Sequence, residues 1–150
     1  MSQFKSKLVL SPMPDGSQWA LHDYLIYQSD LAGEISVPSG FISDLASIPK
    51  IFWNVLPPFG LYSAAAVIHD WLYFSATGTE AQANAVLREA MMLLGCDDKT
   101  VSEIYTAVSA FGAGAWQRNA ILKRAGYTRM STGPDNFPYA GLPDLPKVAP

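Results

Sequence analysis

Gly40-Phe41-Ile42-Ser43-Asp44-Leu45-Ala46-Ser47-Ile48-Pro49 leads, through an aromatic and proline-rich joint, to Ala65-Ala66-Val67-Ile68-His69-Asp70-Trp71-Leu72-Tyr73. This stretch decides the fold, because Asp44, His69 and Asp70 lie in segments otherwise apolar enough to be core. A buried charge without a partner costs several kcal/mol. The three side chains must therefore be paired, ligated or partly exposed in a cleft.

Before this stretch, residues 6–38 read as strands: Lys7 to Leu10, Gln18 to His22, Tyr24 to Tyr27 and Glu34 to Val37, separated by Pro, Asp and Gly turns. They predict an antiparallel meander of three or four strands. After Gly40 the period changes. Ser47 with Pro49 is a helix entrance, so a short helix is expected from Pro49 to Val55, ended by Pro57-Pro58. Leu61 to Phe74 is almost wholly apolar and predicts a central helix. Thr79 caps a second helix to Leu94 with Gly95 as its stop, and Asp97 or Asp98 caps a third running to Ala120 or beyond. Gly112 and Gly114 would each cost that helix about 1 kcal/mol relative to alanine. A tight helix crossing is the expected reason for them.

The expected fold is α+β, a β-meander packed on C-terminal α-helices. Residues 1–125 form one globular domain and residues 126–150 an extended arm, since five prolines and two glycines fall beyond Gly126. Such an arm lies on something, either this domain or a neighbouring chain. Phe137, Tyr139, Leu142 and Leu145 are its natural anchors.

A hydrophobic fraction of 49% against 15% charged excludes intrinsic disorder as the organising state. A net charge of −3 gives no reason to expect nucleic acid as a partner. Arg118, Lys123, Arg124 and Arg129 form one local basic run, read as a solvated helix end. Cys96 is the sole cysteine, so no intrachain disulfide forms and a structural thiol is expected. The N-terminal apolar run is too short for a secretory signal, and no membrane span is expected.

Several chemistries use these residue types. His69-Asp70 resembles the adjacent pair of metal-dependent phosphohydrolases, although His22 is the only other histidine and falls on a strand. His22, His69 and either Asp44 or Asp70 would supply the three ligands of a catalytic zinc. An Asp44-His69 couple could serve general acid-base work, the carboxylate fixing the imidazole tautomer. Against these stands a structural role, in which Asp44 caps the following turn and His69-Asp70 tie the central helix to the sheet. Trp19, Trp53, Trp71 and Trp116 could stack sugars, but core anchoring is the commoner use.

The two motifs resemble a family of tailed-phage and prophage proteins classed as domain of unknown function 1353. Its pattern is Gly-Phe-x-Thr-Asp-Leu-Ala-Ser-Ile-Pro-Arg, then Ala-x-x-His-Asp-x-Leu-Tyr. This chain has Ser43 for the Thr and Lys50 for the Arg, and keeps His69, Asp70, Leu72 and Tyr73. The resemblance covers roughly Leu8 to Gly95. Family members often carry an Asp in the next helix where this chain has Asn84, which weakens any metal site that used it.

The resemblance implies a phage setting: a virion component made in the host cytoplasm and placed in the tail. The expected function is a tail-associated structural or assembly protein whose partners, other phage structural proteins, are docked through residues 126–150. The alternative is a small hydrolase acting on cell-wall material. Asp44, His69 and Asp70 would be its catalytic residues and, if a divalent metal is the cofactor, also its ligands.

Overall fold

The computed structural model describes residues 1–13, 18–45 and 60–131. The short helix expected from Pro49 to Val55 and the anchors Phe137, Tyr139, Leu142 and Leu145 lie outside the described residues. The alternation from Leu25 to Val37 becomes a hairpin of β4 (Leu25–Ser29) and β5 (Gly33–Val37), which turns at Gly33 with φ +76°. Leu25 pairs with Val37 and Tyr27 with Ile35, so one face of the hairpin is apolar and buried. β1 (Gln3–Phe4) adds to the other edge of β4, and the Phe4 ring sits 4.6 Å from that of Tyr27.

Instead of one meander there are two three-stranded antiparallel sheets. Sheet A has the order β1-β4-β5. Sheet B has the order β2-β3-β6, from Leu10–Pro12, Trp19–Leu21 and Ile42–Ser43. The split arises because β6 pairs with β3 and not with β5, which precedes it. Gly40, at φ +89°, makes the turn that permits this: its N–H donates to the Leu21 carbonyl.

Three helices follow among the described residues: α1 (Ser63–Ser75), α2 (Glu80–Leu93) and α3 (Asp98–Arg124). The expected caps hold. Thr79 accepts from the Gln82 amide and Asp97 from the Thr100 amide. Gly95 and Gly126 take left-handed conformations that close α2 and α3, with Cys96 N–H reaching back to Met91 and Tyr127 N–H to Leu122. α1 is buried on nearly every side and is the centre of the molecule: sheet A packs on α1 and α2, β6 on α1, and α3 on both other helices.

Beyond α3 the chain returns to sheet B. Met130 forms a bridge with Phe41, and Ser131 N–H donates to the Gly40 carbonyl. The basic run does more than face solvent. Lys123 Nζ donates to the Ser75 carbonyl at the end of α1. Arg129 stacks over the rings of Phe41 and Phe74 while donating to the Ile42 carbonyl and to Asn119 Oδ1.

Candidate functional site

Both motifs enter the core from opposite directions and meet. β6 carries Ser43 inward, and α1 presents Asp70 to it: the Ser43 hydroxyl donates to Asp70 Oδ2 at 2.5 Å, with the two residues 0% and 2% exposed. The same Ser43 oxygen accepts from the Leu45 amide at 3.1 Å. Leu45 itself holds φ +54°, unusual for a branched side chain. Ser43 thus fixes the sharp turn at the end of the first motif and bonds it to the central helix. Asp44, one position on, is exposed.

His69 lies one residue before Asp70 and faces α2, not the sheet. This corrects the expectation that the His-Asp pair ties the helix to the sheet as a unit: Asp70 does so, while His69 joins helix to helix. His69 Nε2 is 2.8 Å from Asn84 Oδ1, which also accepts from the Tyr73 hydroxyl at 2.7 Å. A carbonyl oxygen only accepts, so Nε2 carries the proton and Nδ1 is the bare lone pair. The ring is fully buried and stacked obliquely on Tyr73, with centroids 4.1 Å apart. Burial drives the His69 pKa down to about 4, against the opposing pull of Asn84 and of the nearby Asp44 carboxylate. The imidazole is therefore neutral near pH 7, and its Nδ1 is buried without a hydrogen-bond partner among the described residues.

Tyr73 explains the glycines of α3. A Cβ at Gly112 would overlap the Tyr73 hydroxyl, and Glu80 Oε1 would lie 3.0 Å away. At Gly114 a Cβ meets nothing within 4 Å among the described residues. The expected close crossing is thus real at Gly112 alone, where the bare backbone admits the phenol that holds Asn84. Burial and the Glu80 carboxylate raise the Tyr73 pKa, so it stays a donor.

Sequence spacing located His69, Asp70 and Asp44 but not their partners. Asn84 carried a usable signal, since it interrupts the apolar face of Ala83, Val86, Leu87 and Met91. In this structure it stands behind the imidazole, on Nε2, and orients the ring instead of sharing a ligand with it. His22 is exposed in the turn after β3 and is not gathered with His69: among the described residues, no three His, Cys, Asp or Glu side chains converge to hold a metal ion. A hollow of about 150 Å³ lies between β5, α1 and α2, and neither Ser43, Asp44, His69 nor Asp70 lines it. Trp71 and Trp116 pack edge-on against Phe41 and Tyr73, each at 5.2 Å, as core anchors.

The arrangement defines a class: α+β domains in which a polar β-turn motif and a His-Asp helix motif are locked together inside the core. This chain belongs to the family described as a protein of unknown function (DUF1353), which matches residues 19–108. The match runs from β3 into the first half of α3 and so contains both motifs and Asn84, starting later and reaching further than the motif resemblance alone indicated. Neither a curated protein nor a solved structure matches the chain.

Proposed function

We propose that this protein is a tailed-phage virion component, a tail-associated assembly protein that docks neighbouring subunits through its proline-rich arm. One observation supports a structural over a catalytic role: Ser43 with Asp70 and His69 with Asn84 form two hydrogen-bonded pairs, and each of the four residues is at most 4% exposed. Polar residues held so serve a rigid frame, not a substrate. The phage setting rests on the resemblance of the two motifs, and the arm's role on its composition. Because Tyr127 to Ser131 pack on the domain, the informative truncation removes residues 132–150. The truncated protein should stay folded and fail to enter particles. Normal incorporation would remove the assembly role.

A second function is favoured by the Nδ1 of His69, which has no hydrogen-bond partner among the described residues and feels the nearby Asp44 carboxylate. A neutral imidazole whose other nitrogen is anchored is the form that accepts a proton or binds a metal. In that case the protein is a hydrolase acting on cell-wall material, with Asp44, His69 and Asp70 as its working residues. Metal content of protein purified without chelator, compared with His69→Ala, tests it. Near-stoichiometric metal that disappears in a folded variant supports the hydrolase, and equal, negligible metal in both removes its metal-dependent form.

A further inference from the structure

Sheet A keeps one edge open. Among the described residues β5 pairs with β4 alone, in a register that runs from the Ser29/Gly33 pair to the Leu25/Val37 pair without a bulge. Ile26, opposite Ser36, spends both its backbone groups on the far side: its carbonyl accepts from the Lys5 amide, and its N–H donates to Ser6 Oγ. Ile26 and Ser36 are therefore a pair without mutual hydrogen bonds, and the N–H and carbonyl of Ser36 point away from β4. Two residues earlier, those of Glu34 do the same. Both residues are exposed. Natural sheets blunt such edges with proline, lysine, bulges or brevity. The β1 edge is two residues long with Lys5 beside it, whereas β5 presents five residues with Glu34 as their single charge.

The hollow between β5, α1 and α2 opens along this edge. Three consecutive residues, Glu34, Ile35 and Ser36, border it, where a sheet face would contribute alternate ones. Ile35, Leu72 and Ala83 form its buried depth, Trp71 a half-buried wall and Thr77 the exposed mouth. At about 150 Å³ it falls below the roughly 300–1,000 Å³ of whole small-molecule sites and suits one apolar side chain.

Outward backbone groups on every second residue, beside an apolar socket, are the means by which a sheet takes up an extended peptide: main-chain bonds hold it and the socket selects a side chain. An added antiparallel strand lies about 4.8 Å beyond β5. Its residue opposite Ile35 faces the helices, as Ile35 does, and enters the hollow. The residues on either side bond Glu34 and Ser36 through the backbone and share the outer face with their side chains. Charge complementarity makes such a neighbour basic. The Glu34 carboxylate is 54% exposed, and among the described residues its one ion pair is with Lys5, through Oε2.

We infer that the free edge of β5 is a docking site for an extended segment of a partner protein, which joins sheet A as a fourth, antiparallel strand. A leucine-sized apolar side chain fills the hollow, and a flanking lysine or arginine meets Glu34. The site rests on the edge and the hollow and is separate from the arm: the arm is what this chain extends, and the edge of β5 is where it receives.

The probe is the acetylated and amidated peptide Ser-Val-Lys-Leu-Lys-Val-Ser, titrated into full-length protein labelled with nitrogen-15. Amide shifts centred on Glu34 to Ser36, a shift of the Trp71 indole N–H and slower amide exchange at Glu34 and Ser36 are expected. Methylating the backbone nitrogens of both lysines, or replacing the central leucine by glycine, should weaken binding about tenfold or more. Ser36→Pro should weaken it equally while leaving the β4–β5 resonances in place, because the N–H it removes does not bond β4. No shift at millimolar peptide, shifts elsewhere on the protein, or binding indifferent to N-methylation and to Ser36→Pro overturns the inference. Particle entry of the 132–150 deletion reads the proposed function separately, so either can fail alone.

Discussion

A fully buried, neutral histidine makes the protein sensitive to acid. The His69 pKa is lowered to about 4 in the fold and returns to 6.5 on unfolding, so the unfolded chain binds more protons between these values. The stability contributed by the neutral ring is complete above pH 6.5 and is lost as pH falls toward 4. The loss is about 3 kcal/mol over that window. Denaturant melts at a series of pH values should show this fall, and His69→Gln should flatten it. Asn84→Asp should act in the opposite sense on the same ring. A carboxylate on Nε2–H favours the imidazolium, so the His69 pKa should climb well above 4 in an NMR titration, and the acid loss should shrink. An unshifted titration would show that position 84 does not orient the imidazole. His69 was recognisable from sequence as a polar residue in an apolar helix. Its partner Asn84 was singled out only through the family pattern, as a position for a metal ligand; that it bonds Nε2 was not legible, because the bond joins different helices and packing brings them together.

At the scale of elements, the close approach of α1 and α3 rests on Gly112. Gly112→Ala must displace the Tyr73 hydroxyl from Asn84 and should cost about 2 kcal/mol or more. Gly114→Ala meets open space and should be neutral or stabilising by up to about 1 kcal/mol. Thermal melts of the two variants separate helix propensity from packing, and equal effects would refute the crossing. The helices themselves were legible: Thr79 with Gly95, and the Asp97-Asp98 pair at the start of α3, are local signals, each read within a few residues of where it acts, whereas the closure of α3 at Gly126 was not read. β1 and β6 were not. Two-residue strands carry no period, and their existence follows from pairing with β4 and β3, more than twenty residues away in each case. For the same reason a single meander was expected where two sheets form.

For the whole molecule, Arg129 is the fastening between its last described segment and the rest. It is sandwiched with Phe41 and Phe74 and bonds both β6 and α3. Arg129→Ala should release Tyr127 to Ser131 without melting the helices, seen as faster amide exchange at Ser131 and Ile42, whose N–H groups bond across this junction. Unchanged exchange there would place the fastening elsewhere. The sequence showed a basic run but not this role, since stacking on two aromatic rings from different elements has no linear signature. The α+β class and the inward turn of both motifs could be read in advance; the fastening depended on where the chain returned.

The attachment of Ser131 to Gly40 has a mechanical consequence. Tension applied beyond residue 131 does not unravel α3 from its end, because the load passes first through the Ser131–Gly40 bond and the Arg129 clamp into β6. From there the Ser43–Asp70 bond carries it to α1. A pull on the arm is thus a pull on the innermost helix, and the domain should yield as one unit, not by peeling.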